Sequence, residues 1–395
     1  MALIAFFGPA GAGHINPTLG LVTELVRRGH RVIYCAPREY ADRILETGAE
    51  HHPTVSTWKA HDQAQQVPQM HGKELVRAMR LLLEETKAIL PVAAQVERPD
   101  LVVHDGTLAW WGRILAQRWQ VPSVETWPNF VSNAEWSMAK NYTTINPFSP
   151  RFLLQTARIA RFLRSEGVTS IGRFFNGDEA TSRLVLLPRA FQYEGDTFGG
   201  TFQFVGPMLT ERSFQADWQP TASPVTLIAL GTAYNARPEF YRMVLESAAD
   251  RPGQIVMAIG DVDRELLGPV PPNVEIHRQV PQLAVLRHAQ AFVTHAGMGS
   301  TMESLSHSVP MVALPQMAEQ RANADRIVDL GLGRALDPEV LTAEALWEAV
   351  DGVMHDPGIR DRLAWMRGEI AESGGAASAA DTVENLLPSG DPKPE

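Results

Sequence analysis

A histidine that titrates near neutrality, an aspartate to orient it and a glycine-spaced turn that can hold an anion are the groups in this chain whose types and spacing allow chemistry. The histidine is His14, in the loop Ala10-Gly11-Ala12-Gly13-His14-Ile15 after a first apolar run, Leu3–Phe7. As a general base it would take a proton from an attacking hydroxyl, and a place just before a helix N-terminus would disfavour the imidazolium and keep the ring available. The aspartate is Asp105, in His104-Asp105-Gly106 at the carboxyl end of a buried strand, Leu101–Val103. It would orient His14 and stabilise the cation formed as the proton moves. The anion site lies in Phe292–Asn323, FVTHAGMGSTMESLSHSVPMVALPQMAEQRAN. A strand, Ala291–Thr294, runs into His295, Gly297 and Gly299 let the backbone approach a ligand, and Ser300 and Thr301 open a helix. Free N–H groups and the helix dipole stabilise a diphosphate there, and His295 can add a hydrogen bond. A second strand, Val309–Leu314, leads to Pro315 and to Glu319 and Gln320, whose donors and acceptors suit sugar hydroxyls.

Strands and helices must position these groups. Asn16 is a good N-cap and Pro17 a good first helical residue, while Leu21, Val22, Leu25 and Val26 form one apolar stripe ended by Gly29. A strand at Arg31–Ala36 completes a β-α-β unit, which predicts a parallel sheet. In such sheets the loops at the carboxyl ends of strands gather in one crevice, so His14 and Asp105 are expected to meet although distant in sequence. Helical periodicity returns over Glu74–Val96, where Pro91 can kink it. From Trp110 to Phe152 the chain is rich in aromatic residues, most of them expected in the core. Trp110, Trp127, Phe130, Trp136 and Tyr142 are the candidates for the wall of an apolar acceptor cleft.

The pattern changes after Phe204-Val205-Gly206-Pro207. Residues 208–223 are polar and aperiodic and read as a linker between a domain at 1–207 and another at 224–375, followed by a last helix and polar tail at 376–395. The tail from Ser389 is expected to be disordered. The second domain opens with a strand, Val225–Leu230, whose end Gly231-Thr232 makes Thr232 a further candidate donor contact. A helix at Pro238–Ala249, a strand at Ile255–Ile259 and helices at Glu319–Leu330 and Glu344–Met354 complete it, with Gly331 as a C-cap.

Several other chemistries are disfavoured. Gly8-x-x-Gly11-x-Gly13 after a first strand suits a nicotinamide cofactor, but that site wants an acid at the end of the second strand to hold a ribose, or a basic group for a phosphate. The strand ends Tyr34-Cys35-Ala36-Pro37-Arg38, without an acid, and although Arg38 could serve a phosphate, no other feature calls for a hydride acceptor. Asp261-Val262-Asp263 has the D-x-D spacing of a metal site but reads as a surface turn, and His51-His52 lacks a third ligand, so no metal is expected. With 35 basic against 45 acidic residues the net charge is -10, which offers nothing to nucleic acid or to anionic lipid. The one cysteine, Cys35, excludes an internal disulfide framework, and no apolar stretch is long enough to span a membrane. No leader is recognisable, so a cytoplasmic protein without stable membrane association is expected.

His295, Gly297, Ser300 and Glu303, read as H-x-G-x-x-S-x-x-E and followed by Pro315 and Glu319-Gln320, resemble the donor-binding signature of the nucleotide-sugar-dependent glycosyltransferases. With GAGHINP near the start, HDGT at 104–107, FVGP at 204–207, VPQ at 280–282, THAGMGSTME and PQMAEQ, the chain resembles the bacterial macrolide glycosyltransferases over nearly its whole length. The resemblance implies an α/β fold of two Rossmann-like domains facing each other across a cleft, the GT-B architecture. It further implies an inverting, metal-independent hexosyltransferase that moves a sugar, glucose before others, from a UDP-sugar or TDP-sugar to a hydroxyl of a macrolide or similar apolar natural product. Such transfer often inactivates an antibiotic. No cofactor beyond the donor substrate is implied, and His14 and Asp105 are again the base and its partner. His295 and Ser300 would touch the diphosphate, Glu303 the ribose hydroxyls, and Glu319 with Gln320 the sugar.

Two positions depart from the family pattern. Gly299 stands where plant members usually carry Asn. Gln279 stands before Val280-Pro281-Gln282 where an aromatic residue, often Trp, usually stacks on the base, so backbone groups near Val280 would hold the base here. The alternatives are a GT-B-fold sugar-nucleotide epimerase or hydrolase, or a catalytically silent partner of a transferase, which His14 and Asp105 argue against. Monomer and homodimer both stay open.

Overall fold

The computed structural model describes residues 1–58, 72–144, 146–177, 180–209, 218–231 and 236–388. Thr232, residues 210–217 of the expected linker and the tail from Ser389 lie outside the described residues. The chain divides into two compact units, Met1–Thr210 with Ser373–Glu395, and Glu211–Glu372.

The first unit is built on strands β1 (Leu3–Phe7), β2 (Arg31–Pro37), β3 (Glu50–Thr54), β4 (Leu101–Asp105), β5 (Ser123–Trp127), β6 (Ser182–Val185) and β7 (Phe202–Phe204). They are parallel, in the order β3-β2-β1-β4-β5-β6-β7. Central parallel strands are covered on both faces, which is why β1 and Leu101–Val103 of β4 are continuous apolar runs, and both strands are buried almost throughout. Alternation divides the cover: Ile4 and Phe6 pack with Leu21, Val22 and Leu25, while Ala5 and Phe7 pack with Cys35, Ile114 and Leu115. The direction of strand succession reverses between β1 and β4.

The helix after β1 starts earlier than Asn16. Gly11, in extended backbone, takes the N-cap position, and its carbonyl accepts from the N–H groups of His14 and Ile15, each at 3.0 Å. The chain then runs helically through Ala12–Ile15, a 3-10 turn at Asn16–Thr18 and the helix Leu19–Arg27. Asn16 already has helical backbone angles and cannot cap, so its Oδ1 accepts from Arg43 instead, at 3.0 Å. His14 therefore sits inside the first helical turn, and the proposed dipole effect of a following N-terminus is replaced by direct pairing with Asp105.

The last helix, Gly375–Glu384, which the sequence sets apart, returns to the first unit. It buries Ala379, Ala380 and Val383 against the helix Leu19–Arg27. Arg28 Nη1 bonds Asp381 and Glu384 at 2.6 Å each, and His30 Nε2 lies 2.9 Å from Glu384.

The second unit carries β8 (Val225–Ala229), β9 (Gln254–Ala258), β10 (Val274–His277), β11 (Ala289–Thr294), β12 (Met311–Ala313) and β13 (Gly333–Ala335), parallel in the order β10-β9-β8-β11-β12-β13. Here the reversal falls between β8 and β11. The segment read as a linker is tied at both ends: Met208 is buried in the first core, and Thr221 N–H donates to Gln254 Oε1 of the second unit at 2.7 Å. No helix among the described residues is long and apolar enough to cross a membrane.

Candidate active site

β1 and β4 flank the reversal in the first sheet, so the loops leaving their carboxyl ends diverge and open a crevice. His14 comes from the first helical turn after β1, and Asp105 is the last residue of β4. Their side chains meet, with His14 Nδ1 2.8 Å from Asp105 Oδ2. The other oxygen, Oδ1, accepts from Thr107 N at 2.9 Å, Thr107 Oγ1 at 2.6 Å and Leu108 N at 2.7 Å. Burial works to raise the Asp105 pKa, but the charge of His14 and these hydrogen bonds outweigh it and hold the carboxyl below the usual range. An ionised Asp105 favours the His14 tautomer protonated on Nδ1, which leaves Nε2 as the basic nitrogen. The His14 side chain is 19% exposed against 2% for Asp105, so the base is reachable while its partner is sealed.

The aromatic candidates separate. Trp110 is core, buried edge-on against Phe174 and Phe175. Trp127 ends β5 over the Gly106 backbone, next to Asp105. Phe130 and Trp136 are buried and share a cluster with Tyr193, whose hydroxyl lies 3.4 Å from that of half-buried Tyr142. Tyr193 escaped the sequence reading because it lies outside the aromatic run, on the segment after β6. So did Gln192, whose amide bonds both the N–H and the carbonyl of Val131 and so staples the two segments together.

In the second unit, β11 leads through His295 to Ala296, which is left-handed (φ 59) and held by Thr294 Oγ1 and Asn323 Nδ2. Backbone strain of this kind persists only where the surroundings enforce it. The turn launches the helix Met298–Ser306, two residues earlier than the sequence suggests. Thr301 N–H is bonded to the Gly297 carbonyl at 2.9 Å, so Met298, Gly299 and Ser300 carry the N–H groups without intrahelical acceptors, at the positive end of the helix. Thr301, the other expected donor contact in this turn, is fully buried, with its N–H taken and its Oγ1 sealed inside the protein without a hydrogen-bond partner.

Glu303 Oε2 accepts from Gln282 Nε2 at 2.7 Å, and the same nitrogen lies 3.2 Å from Ser300 Oγ. Gln282 thus joins two expected donor residues, a role for which V-P-Q was the available signal. Glu319 is half-buried in the first turn of the helix Ala318–Asp329. Gln320 Oε1 accepts from Gln316 N at 2.8 Å, which fixes the amide and leaves its nitrogen as the donor for a ligand. Gln279 is exposed beside Val280, while neighbouring Arg278 is paired with Asp261 at 2.8 Å. Asp263 caps a 3-10 turn, and among the described residues no group of three or more His, Cys, Asp or Glu could hold a metal.

The His295 ring lies against the backbones of Gly231 and Gly297, where added Cβ atoms would come within 2.5 and 2.4 Å of its Nε2. Burial pushes its pKa down to about 4, against a hydrogen bond to the Ala229 carbonyl that works to raise it. The unfolded imidazole titrates near 6.5, so between about pH 6.5 and 4 the unfolded chain binds a proton that the folded chain refuses. Stability is therefore expected to fall as pH drops through this window, by roughly 3 kcal/mol for a shift of this size. Buried His104, shifted down by the same cause, adds to the loss. Urea denaturation at pH 7.5 and 4.5 checks this: His295→Gln should lose less stability on acidification than wild type, and equal losses would remove His295 as the source.

Two parallel-sheet α/β units, one with a His–Asp pair and the other with a helix whose first N–H groups lack intrahelical acceptors, form the GT-B fold of glycosyltransferases. The calicheamicin glycosyltransferase CalG4 superposes with a TM-score of 0.85 at 35% identity, over 98% of each chain. The demethyllactenocin mycarosyltransferase of Streptomyces fradiae is 38% identical over 98% of this chain and 87% of its own. The oleandomycin glycosyltransferase of Streptomyces antibioticus is 37% identical over 98% and 91%. The family model for the erythromycin biosynthesis protein CIII-like C-terminal domain matches residues 242–386. The chain belongs to the macrolide glycosyltransferase family, whose members use nucleotide-sugar donors.

Proposed function

We propose that the protein transfers glucose from UDP-glucose, with inversion, to a hydroxyl of a macrolide or similar apolar natural product. The observation that carries the reading is the 2.8 Å pair of a reachable His14 and a sealed, ionised Asp105 at the strand reversal of the first sheet. His14 Nε2 takes the acceptor proton as the oxygen attacks the anomeric carbon, and Asp105 stabilises the imidazolium that forms. The N–H groups opening the helix Met298–Ser306, with neutral His295 and Ser300, receive the diphosphate, whose charge develops as the sugar departs. Glu303 meets the ribose, Glu319 and the Gln320 amide the sugar, and Trp127 with the Tyr193 cluster the acceptor. The names of the relatives support the acceptor class, and the first raises mycarose as the alternative sugar. Incubation with UDP-glucose and oleandomycin should give a product heavier by one hexose in mass spectra; UDP release without any glycosylated acceptor across a macrolide panel would sink the proposal.

Gln279 offers a flat amide where a ring would stack on the base, and Arg278 beside it is engaged by Asp261. Gln279→Trp should therefore tighten UDP binding by no more than the stacking increment of about 1–3 kcal/mol per base. Calorimetry with UDP and TDP checks it. Unchanged or weaker UDP binding would show that the base lies elsewhere.

A further inference from the structure

Behind the His14–Asp105 pair lies a buried ion pair that the proposed chemistry leaves unused. Glu125, in β5, is fully buried, and its Oε1 is bonded to Arg113 Nη2 from the helix Trp110–Trp119. Its Oε2 accepts from Trp127 Nε1 at 3.0 Å, with Arg183 Nε at 3.4 Å. Two of these partners converge on Gly106, the residue after Asp105. Arg113 Nη2 donates to the Gly106 carbonyl at 3.2 Å. The Trp127 indole lies so close that a Cβ on Gly106 would come within 2.4 Å of its Nε1 and Cε2. The Gly106 N–H donates to the Thr126 carbonyl at 3.0 Å. Gly106 is thus held at its N–H, its Cα and its carbonyl, and two of the three holders take their orientation from one carboxylate.

A sealed ion pair adds little stability over an apolar pair of similar volume, because both charges must leave water. What it supplies is direction, since the planar guanidinium and the carboxylate fix angles that apolar contacts leave loose. We infer that Glu125 is a positioning residue for the base: through Arg113 and Trp127 it sets the Asp105-Gly106-Thr107 turn, and with it the angle at which Asp105 Oδ2 meets His14 Nδ1. The inference rests on the reading of His14 and Asp105 as base and partner. It also links the indole proposed for the acceptor wall to the group proposed to deprotonate that acceptor.

The test is 15N NMR of His14 in the full chain, at a pH where the ring is neutral, which reports whether its proton sits on Nδ1 or Nε2. Wild type should be mainly the Nδ1–H form, and Glu125→Gln should raise the Nε2–H share at least about threefold as the hold of Asp105 loosens. UDP release from UDP-glucose in the presence of oleandomycin should slow about tenfold or more with the donor KM unchanged, the scale on which a small misplacement of a reacting group acts. If Glu125→Gln does not fold, Arg113→Met combined with Glu125→Gln removes the more deeply buried of the two guanidinium charges, Arg183 keeping its bond to the Asn176 carbonyl, and carries the same expectation. A folded variant with the wild-type tautomer ratio and turnover overturns the inference. Asp105→Asn separates the two readings. If it too leaves the ratio unaltered, the His14–Asp105 pairing fails; if it alone shifts the ratio, only the role of Glu125 fails.

Discussion

His14→Ala is expected to slow glycosyl transfer by about 10²- to 10⁴-fold while leaving UDP-glucose affinity nearly intact. With Nδ1 held by Asp105, Nε2 of the imidazole is the base, and without it the acceptor hydroxyl must attack with its proton still in place. Donor affinity is spared because the groups proposed to bind the nucleotide sugar belong to the other unit, on β11 and the helices that follow. Asp105→Asn should also be slow, since a neutral amide neither selects the Nδ1–H tautomer nor stabilises the imidazolium. Steady-state rates at saturating substrates, with calorimetric donor affinity, decide the matter. Near wild-type turnover in both variants would remove His14 as the base.

Gly297→Ala and Gly299→Ala, two residues apart, should behave oppositely. A Cβ at 297 would meet His295 Nε2 at 2.4 Å, and that ring is already confined by Gly231 on another side. Overpacking of this kind costs about 1–3 kcal/mol, and here the displaced group is one proposed to touch the diphosphate. Donor affinity should therefore fall about tenfold or more, in proportion to that cost. At Gly299 a Cβ meets nothing within 4 Å, and the residue lies in the first turn of a helix. Gly299→Ala should be neutral or stabilising by up to about 1 kcal/mol, because alanine loses less backbone entropy on folding. Thermal melts and UDP titrations of both variants check the contrast; a Gly299→Ala protein weaker than Gly297→Ala would show that ligand approach, rather than the imidazole, sets the need for glycine.

The His14–Asp105 encounter was legible because it follows from chain order alone. Where the order of strand succession reverses across a parallel sheet, the carboxyl ends of β1 and β4 lie side by side whatever the intervening residues are. The helix after β11 was legible from its glycines, although its start was not: Ala296 in the left-handed region turns the chain earlier than residue preferences indicate. Asn16 misled for the opposite reason, being a good N-cap type at a position where Gly11 had already begun the helix. Long-range polar contacts left no pattern to read. Gln282, Gln192 and the Arg113–Glu125 pair look like ordinary surface residues until the strands beneath them are placed. The depth of Thr301 was not legible either: from Thr301 to Leu305 every residue of the helix is buried, so polar type did not mark exposure there. The helix Pro357–Glu372 went unread because only Ile359, Leu363 and Met366 are buried in its sixteen residues, too thin a stripe to register as periodicity.

The most direct test of the account is the anomeric configuration of the product made from UDP-glucose, read from the proton coupling across the new glycosidic linkage by NMR. A hydroxyl deprotonated by His14 and attacking the face opposite the leaving diphosphate converts the α-linked donor to a β-glucoside. That β-glucoside is the expected sole product. An α-glucoside, or free glucose and UDP with no glycosylated acceptor, would contradict it.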